Sequence, residues 1–124
     1  MRLLLDTHVV LWWFEGDSRL STMHHALLSD VTNQPHVSSV SLAEIAIKSA
    51  LGKLRADVTE IESAARHQGF MSLPFIAAHA LGLAELPLLH RDPFDRMLVA
   101  QAQHEGFTLL TGDPAIARYD VETQ

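Results

Sequence analysis

The chain lacks cysteine, has no long apolar run and carries little positive charge, with nine Lys and Arg against fifteen Asp and Glu. Each shortage removes a class of explanation. Without cysteine there is no disulfide framework and no thiolate metal site, so a metal must be held by oxygen or imidazole, which favours a hard cation. No apolar stretch reaches the roughly 18 residues that span a bilayer. Leu3 to Leu5 and Val9 to Phe14 are apolar, but Asp6 and His8 break the run and no small-residue cleavage pattern follows. A secretory leader is therefore not expected, and a cytoplasmic location is. The net charge of −6 argues against generic affinity for a polyanion, because nonspecific nucleic-acid binding rests on Lys and Arg neutralising phosphates. A nucleic-acid role needs local compensation, from a metal or from Lys48, Lys53, Arg55, Arg91 and Arg96. Repeats, linkers and low-complexity stretches are also missing.

The hydrophobic fraction of 48% against 19% charged residues excludes a disordered tail. A length of 124 residues suits one ordinary core, so a single domain over 1–124 is expected. Arg2 to Leu5, a short apolar run ended by Asp6, reads as a buried strand of a parallel sheet. A largely covered helix follows from His8 to Glu15, closed by Gly16, and another from Leu20 or Ser21 to about Asp30. After the turn residues Thr32 to Pro35, a strand fits His36 to Val40. Ser41 to Glu44 matches a capping box and opens a helix that stops at Gly52. Further helices are expected over Asp57 to His67, Ile76 to Leu86 and Asp92 to Glu105, with strands over Phe70 to Leu73 and Phe107 to Leu110. Val121 lies in a candidate edge strand. Short apolar strands alternating with helices imply an α/β fold, a parallel sheet covered on both faces. In such sheets ligands bind beyond the carboxyl ends of the strands.

Four acids, Asp6, Glu44, Asp95 and Asp113, fall where a strand should end or a helix begin. Each has a local explanation: Asp6, or Thr7 beside it, as an N-cap, Glu44 as the partner of Ser41, Asp95 as the partner of Asp92, Asp113 as a cap ahead of Pro114. The doubly wound topology nonetheless brings these positions to one edge of the sheet. Carboxylates sharing a site raise one another's pKa, and two Mg²⁺ or Mn²⁺ ions would balance four negative charges. Mg²⁺ is held by one or two carboxylates and several waters, leaving room for a phosphate, which is the site of a metal-assisted phosphodiesterase. One ion or two is an open choice at this stage, as is the sharing of the metal role between Asp95 and the N-cap residue Asp92.

The eight histidines are scattered, with only His24 and His25 adjacent, and no zinc site is expected from them. Trp12 and Trp13 suit burial in the core or a dimer interface better than base stacking. Lys48, four residues after Glu44, suits a helical ion pair and is also a candidate RNA contact, as is Arg96.

Several segments together resemble the PIN-domain ribonucleases, and within them the VapC-type toxins of toxin-antitoxin modules. They are Leu3-Leu4-Leu5-Asp6-Thr7-His8, Val40 to Lys48 with Gly52-Lys53-Leu54, His90-Arg91-Asp92-Pro93-Phe94-Asp95-Arg96 and Thr111-Gly112-Asp113. The resemblance implies a three-layer αβα sandwich with a mainly parallel sheet of four or five strands. It also implies Mg²⁺- or Mn²⁺-dependent cleavage of RNA, a homodimer, and a cognate antitoxin docked near the active site. The family's acids fall on Asp6, Glu44, Asp95 and Asp113, with Thr111 as a supporting hydroxyl. A response-regulator receiver is disfavoured because Asp6 is followed by Thr7 and no Lys follows Lys53; a haloacid-dehalogenase-like phosphatase is disfavoured because His8 stands two residues after Asp6. A PIN-like domain that only binds RNA or a partner protein is the alternative.

Overall fold

Leu3 and Leu5 point to one side of the first strand and Leu4 to the other, as the two-residue period of a strand requires, and all three are fully buried. That alternation builds two cores, one on each face of a single sheet. The computed structural model describes all residues 1–124. Its elements run β1 (Arg2–Leu5), α1 (Thr7–Glu15), α2 (Thr22–Ser29), β2 (Gln34–Ser38), α3 (Ser39–Ala50), α4 (Val58–His67), β3 (Met71–Leu73), α5 (Ala77–Glu85), α6 (Pro93–Glu105), β4 (Thr108–Leu110) and a 3-10 turn at Ile116–Arg118. The strands pair in the order β3-β2-β1-β4, every pair parallel. Leu3, Leu5, Val37 and Leu110 pack against residues of α1 to α4, among them Val9, Val10, Leu28, Ile45 and Ile61. On the opposite face Leu4, Leu73 and Leu109 meet Leu98, Val99 and Ala102 of α6, together with Leu86, Ile116 and Tyr119. Each fully buried leucine contributes on the order of 1.5–3 kcal/mol. The α/β, three-layer arrangement with a parallel four-stranded sheet is thus the architecture expected from the sequence. No helix is long and apolar enough to cross a membrane.

Three boundaries differ from the sequence reading. The first is α3, which begins at Ser39 and not at Ser41, because Ser38 is the N-cap and its hydroxyl accepts the Val40 N–H at 2.9 Å. Glu44 therefore lies a full turn inside the helix, and the capping box assigned to Ser41 and Glu44 does not exist. Ser38, Ser39 and Ser41 in one short stretch offer alternative starts, and strand pairing selects the first: Ser38 is the last residue in register with β3, opposite Leu73. Second, β2 opens at Gln34, and Pro35 stands opposite Leu3 in the ladder instead of in a turn. Proline is tolerated there at the strand's beginning, before pairing to β3 starts at His36. Third, the segment around Val121 is no fifth strand. Leu109 and Thr123 form an isolated bridge, with Leu109 N–H donating to Glu122 O at 2.8 Å, so the chain only brushes the outer edge of β4.

The chain leaves β1 toward β2 and β3 on one side, while β4 joins on the other. The connections diverge between β1 and β4, and the crevice at such a divergence, beyond the strands' carboxyl ends, is where open α/β sheets bind ligands.

Candidate active site

Asp6 stands at that crevice. Its backbone N–H donates to Leu110 O on β4 at 3.0 Å, and its Oδ1 accepts the Val9 N–H at 2.9 Å as the N-cap of α1. The carboxyl is 4% exposed. Burial pushes its pKa above the ordinary carboxylate range, opposed by the Thr111 hydroxyl and the Val9 N–H. Across the crevice Thr111 also accepts the Asp113 N–H at 3.0 Å, and Asp113 Oδ1 in turn accepts the Ala115 N–H at 2.9 Å. One threonine therefore braces two of the acids, and the supporting role expected of Thr111 has a geometric basis.

Glu44 reaches the same region from α3. It is 4% exposed and satisfied on both oxygens: Thr7 Oγ1 donates to Oε1 at 2.6 Å, and Lys48 Nζ donates to Oε2 at 2.5 Å. The ion pair raises Lys48 above the ordinary lysine range, first through the Glu44 bond, with further attraction from Asp92 and Asp95. Lys48 is therefore a cation within the acid group, as well as the helical partner of Glu44.

At the mouth of α6, Asp92 caps the helix through Oδ1, which accepts the Asp95 N–H at 3.0 Å. Asp95 does not reciprocate. Its Oδ2 instead takes a bond from His90 Nε2 at 3.2 Å. Its pKa is raised to about 6, mainly by burial, then by Asp92, with smaller repulsion from Asp113 and Asp6. Asp6, Asp92, Asp95 and Asp113 thus share one field, and Lys48 joins Glu44 to it. Helix mouths at Asp6 and Asp92 add positive potential to the same edge.

Arg96 lies elsewhere in function. Its guanidinium donates to Pro87 O at 2.8 Å, Leu86 O at 3.2 Å and Tyr119 OH at 3.0 Å, so it holds the loop before α6. Arg96, a candidate RNA contact from the sequence, has its guanidinium engaged within the fold, where backbone carbonyls lie within reach of its planar fork. Trp12 and Trp13 are half-buried against the first core. Trp13 donates to Gln68 Oε1 at 2.9 Å, while Trp12 stacks with His8 at 5.5 Å between centroids. Beside the acids, Thr7, His8, Trp12, Arg19, Glu44, Lys48 and Lys53 line a cavity of about 220 Å³.

Thr7, His90 and Tyr119 had no assigned role at the site from sequence alone. The first could have been found from its place immediately after Asp6; the other two come together only in three dimensions. Nor did the sequence reading foresee the grouping of His79, His104 and Glu105, whose ligand atoms lie within 4.8 Å of one another. His79 is committed there as a structural residue. Its Nδ1 accepts the Ile76 N–H at 3.1 Å at the start of α5, so its proton sits on Nε2 and points to Glu105 Oε1 at 2.9 Å.

Residues 3–122 match the PIN domain family model. The chain belongs to the PIN-domain family. No curated protein matches this PIN domain in sequence. Its fold is similar to VapBC2 from Rickettsia felis bound to a promoter DNA fragment, at 18% identity and a TM-score of 0.72, covering 100% of this chain and 98% of that one. It is also similar to FitAcB from Neisseria gonorrhoeae, at 20% identity and 0.68, covering 98% and 95%. VapC20 from Mycobacterium tuberculosis, a toxin that cleaves the sarcin-ricin loop, matches at 17% identity and 0.65, covering 94% and 95%. At these identities the likeness speaks for the fold.

The donor set suits a hard divalent cation. Carboxyl oxygens supply the donors, Asp6 and Asp95 having pKa values raised by burial, and the chain has no cysteine thiolate to favour a softer metal.

Proposed function

We propose that this PIN domain, acting as one unit over residues 1–124, is a Mg²⁺- or Mn²⁺-dependent endoribonuclease of the VapC type, the toxin of a toxin-antitoxin pair. The observation that carries the reading is the shared field at the β1/β4 crevice, in which Asp92, Asp113 and Asp6 all bear on a half-buried Asp95 raised to about 6. Carboxylates gathered this closely repel one another, and a divalent cation bound among them would relieve that repulsion.

Asp6 and Asp95 would hold the cation, with Glu44 and Asp113 completing the group as further ligands or as holders of its waters. When bound, the ion supplies a water of lowered pKa and stabilises charge on the scissile phosphate. The chain's own residues do the rest. Thr111 and the α1 mouth fix Asp6, and Thr7 and Lys48 fix Glu44. Lys48 and Lys53, in the cavity beside the acids, offer positive charge to a phosphate backbone in an otherwise acidic protein.

The toxin part of the reading is supported by the similarity of the fold to VapBC2 and FitAB, each described bound to DNA, and to VapBC-1. On the sequence resemblance the proposal extends to a homodimer with a cognate antitoxin protein, in the cytoplasm. Purified protein should cleave RNA with Mg²⁺ or Mn²⁺ and stop on EDTA, and Asp6→Asn and Asp95→Asn should each abolish cleavage. Parent-like cleavage by both variants would remove the site from consideration. Relief of growth arrest by a small protein encoded next to it tests the toxin role separately.

A further inference from the structure

Tyr119, six residues after Asp113, is 4% exposed, and its hydroxyl meets three polar atoms. The His90 backbone N–H approaches it at 3.2 Å, Arg96 Nη1 at 3.0 Å and His90 Nδ1 at 2.7 Å. The first two are donors only, and together they occupy both lone pairs of the phenolic oxygen. The one proton of the hydroxyl then has a single place to go, His90 Nδ1. Because Nδ1 accepts, the neutral ring carries its proton on Nε2, and Nε2 faces Asp95 Oδ2 at 3.2 Å. The result is a chain of donors running one way, from the Arg96 guanidinium through Tyr119 and His90 to Asp95. It ends on one oxygen of that carboxyl, and the other oxygen accepts no hydrogen bond from the protein.

We propose that His90 is a positioning residue for Asp95, its tautomer and ring orientation set by Tyr119 and Arg96, so that Asp95 presents its second oxygen to a divalent cation. The inference rests on the metal-site reading above. It also accounts for two features that reading leaves aside: the Arg96 clamp, and the failure of Asp95 to return the capping bond of Asp92. Groups that orient a metal-binding side chain influence affinity strongly, and their loss typically costs about 10- to 100-fold. The supports come from different parts of the fold. His90 lies in the loop before α6 and Tyr119 just after the 3-10 turn, so the carboxyl is held by the tertiary structure and not by its helix alone.

Two measurements test this. In the metal-free protein at neutral pH, the imidazole ¹⁵N spectrum of the parent should show His90 as the Nε2–H tautomer, and Tyr119→Phe should shift it toward a mixture. A parent spectrum showing Nδ1–H would overturn the proposal. Direct titration with Mn²⁺ should show affinity weakened about tenfold or more in Tyr119→Phe and His90→Leu. His90→Gln, which keeps an amide donor, should fall closer to the parent. Asp95→Asn serves as the reference for the site itself. If the parent does not bind Mn²⁺, or Asp95→Asn binds it as the parent does, the metal-site reading fails and this proposal fails with it. If Asp95→Asn loses binding while Tyr119→Phe and His90→Leu retain parental affinity, the positioning role alone is refuted. Melting temperatures recorded alongside separate a loss of fold from a loss of orientation, since a merely structural Tyr119 would lower stability and leave the His90 tautomer in place.

Discussion

Thr7 Oγ1 donates to Glu44 Oε1 at 2.6 Å, joining the first residue of α1 to the second turn of α3 across the buried floor of the acid group. Glu44 is buried there with both oxygens satisfied, one by Thr7 and the other by Lys48. Thr7→Val preserves the shape and removes the donor. A hydrogen bond to a buried charge contributes about 1.5–3 kcal/mol, so the variant should melt several degrees below the parent, and Thr7→Ser should recover most of the loss. Thermal denaturation of the three proteins without metal decides it; equal midpoints for Thr7→Val and the parent would mean the bond contributes nothing.

Lys48 supplies the only ammonium found among the acids' electrostatic partners, and a metal would compete with it for the same role. Lys48→Met should lower the stability of the metal-free protein, since Glu44 loses its ion pair and Asp95 a nearby positive charge. Added Mg²⁺ should then raise the melting temperature more in the variant than in the parent. An identical Mg²⁺ response in both would show that Lys48 and the cation answer different charges.

Legibility followed the periodicities. The leucines of β1 could be read because a strand buried on both faces is apolar throughout, and Asp92-Pro93 announced α6 because a capping acid before proline has few other uses. Asp6, Asp95 and Asp113 were legible as strand-end and helix-start residues, whereas Glu44, read as a helix start, stands a turn further into α3. What failed was local choice between equivalent signals: Ser38 and Ser41 offered the same cap, and only pairing with β3 distinguishes them. The internal partners of Arg96 were hidden for a related reason. A basic residue beside an acid suggests a substrate contact, and its carbonyl partners at Leu86 and Pro87 become visible only once the loop is folded over it. The His90-Tyr119 pairing spans 29 residues and has no periodic signature.

Asp95 makes stability depend on pH in a definite direction. Its folded pKa of about 6 lies above the ordinary 3.8, so the native state takes up a proton between those values that the unfolded chain does not bind. Metal-free protein should therefore gain stability as the pH falls from 7 toward 5, with Asp6 acting in the same sense. Asp95→Asn should be more stable than the parent at pH 7, by at most about 3 kcal/mol, and should lose much of this slope. Divalent-cation affinity should move the other way, weakening below about pH 6 as the ligand is protonated. Urea titrations at pH 5 and 7, with and without Mg²⁺, read both signs. A metal-free parent that is more stable at pH 7 than at pH 5, by a margin Asp95→Asn abolishes, would reverse the assignment.

Arg96 offers the sharpest contrast between the sequence and the structural reading. As an RNA contact, its replacement by Lys would preserve charge and leave stability near the parental value. As a clamp, the guanidinium needs its fork, since Nη1 serves Pro87 O and Tyr119 OH while Nη2 serves Leu86 O, and a lysine ammonium at the end of a different stem cannot reproduce that spread. Arg96→Lys should then lower stability by about 1–2 kcal/mol while the salt dependence of RNA binding is unchanged. A true phosphate contact behaves oppositely under Arg96→Gln: the salt slope drops by about one and stability barely moves. Denaturation and salt-titrated RNA binding on both variants separate the roles, because the clamp acts through the folding of the 86–90 loop and a phosphate contact acts only when RNA is present.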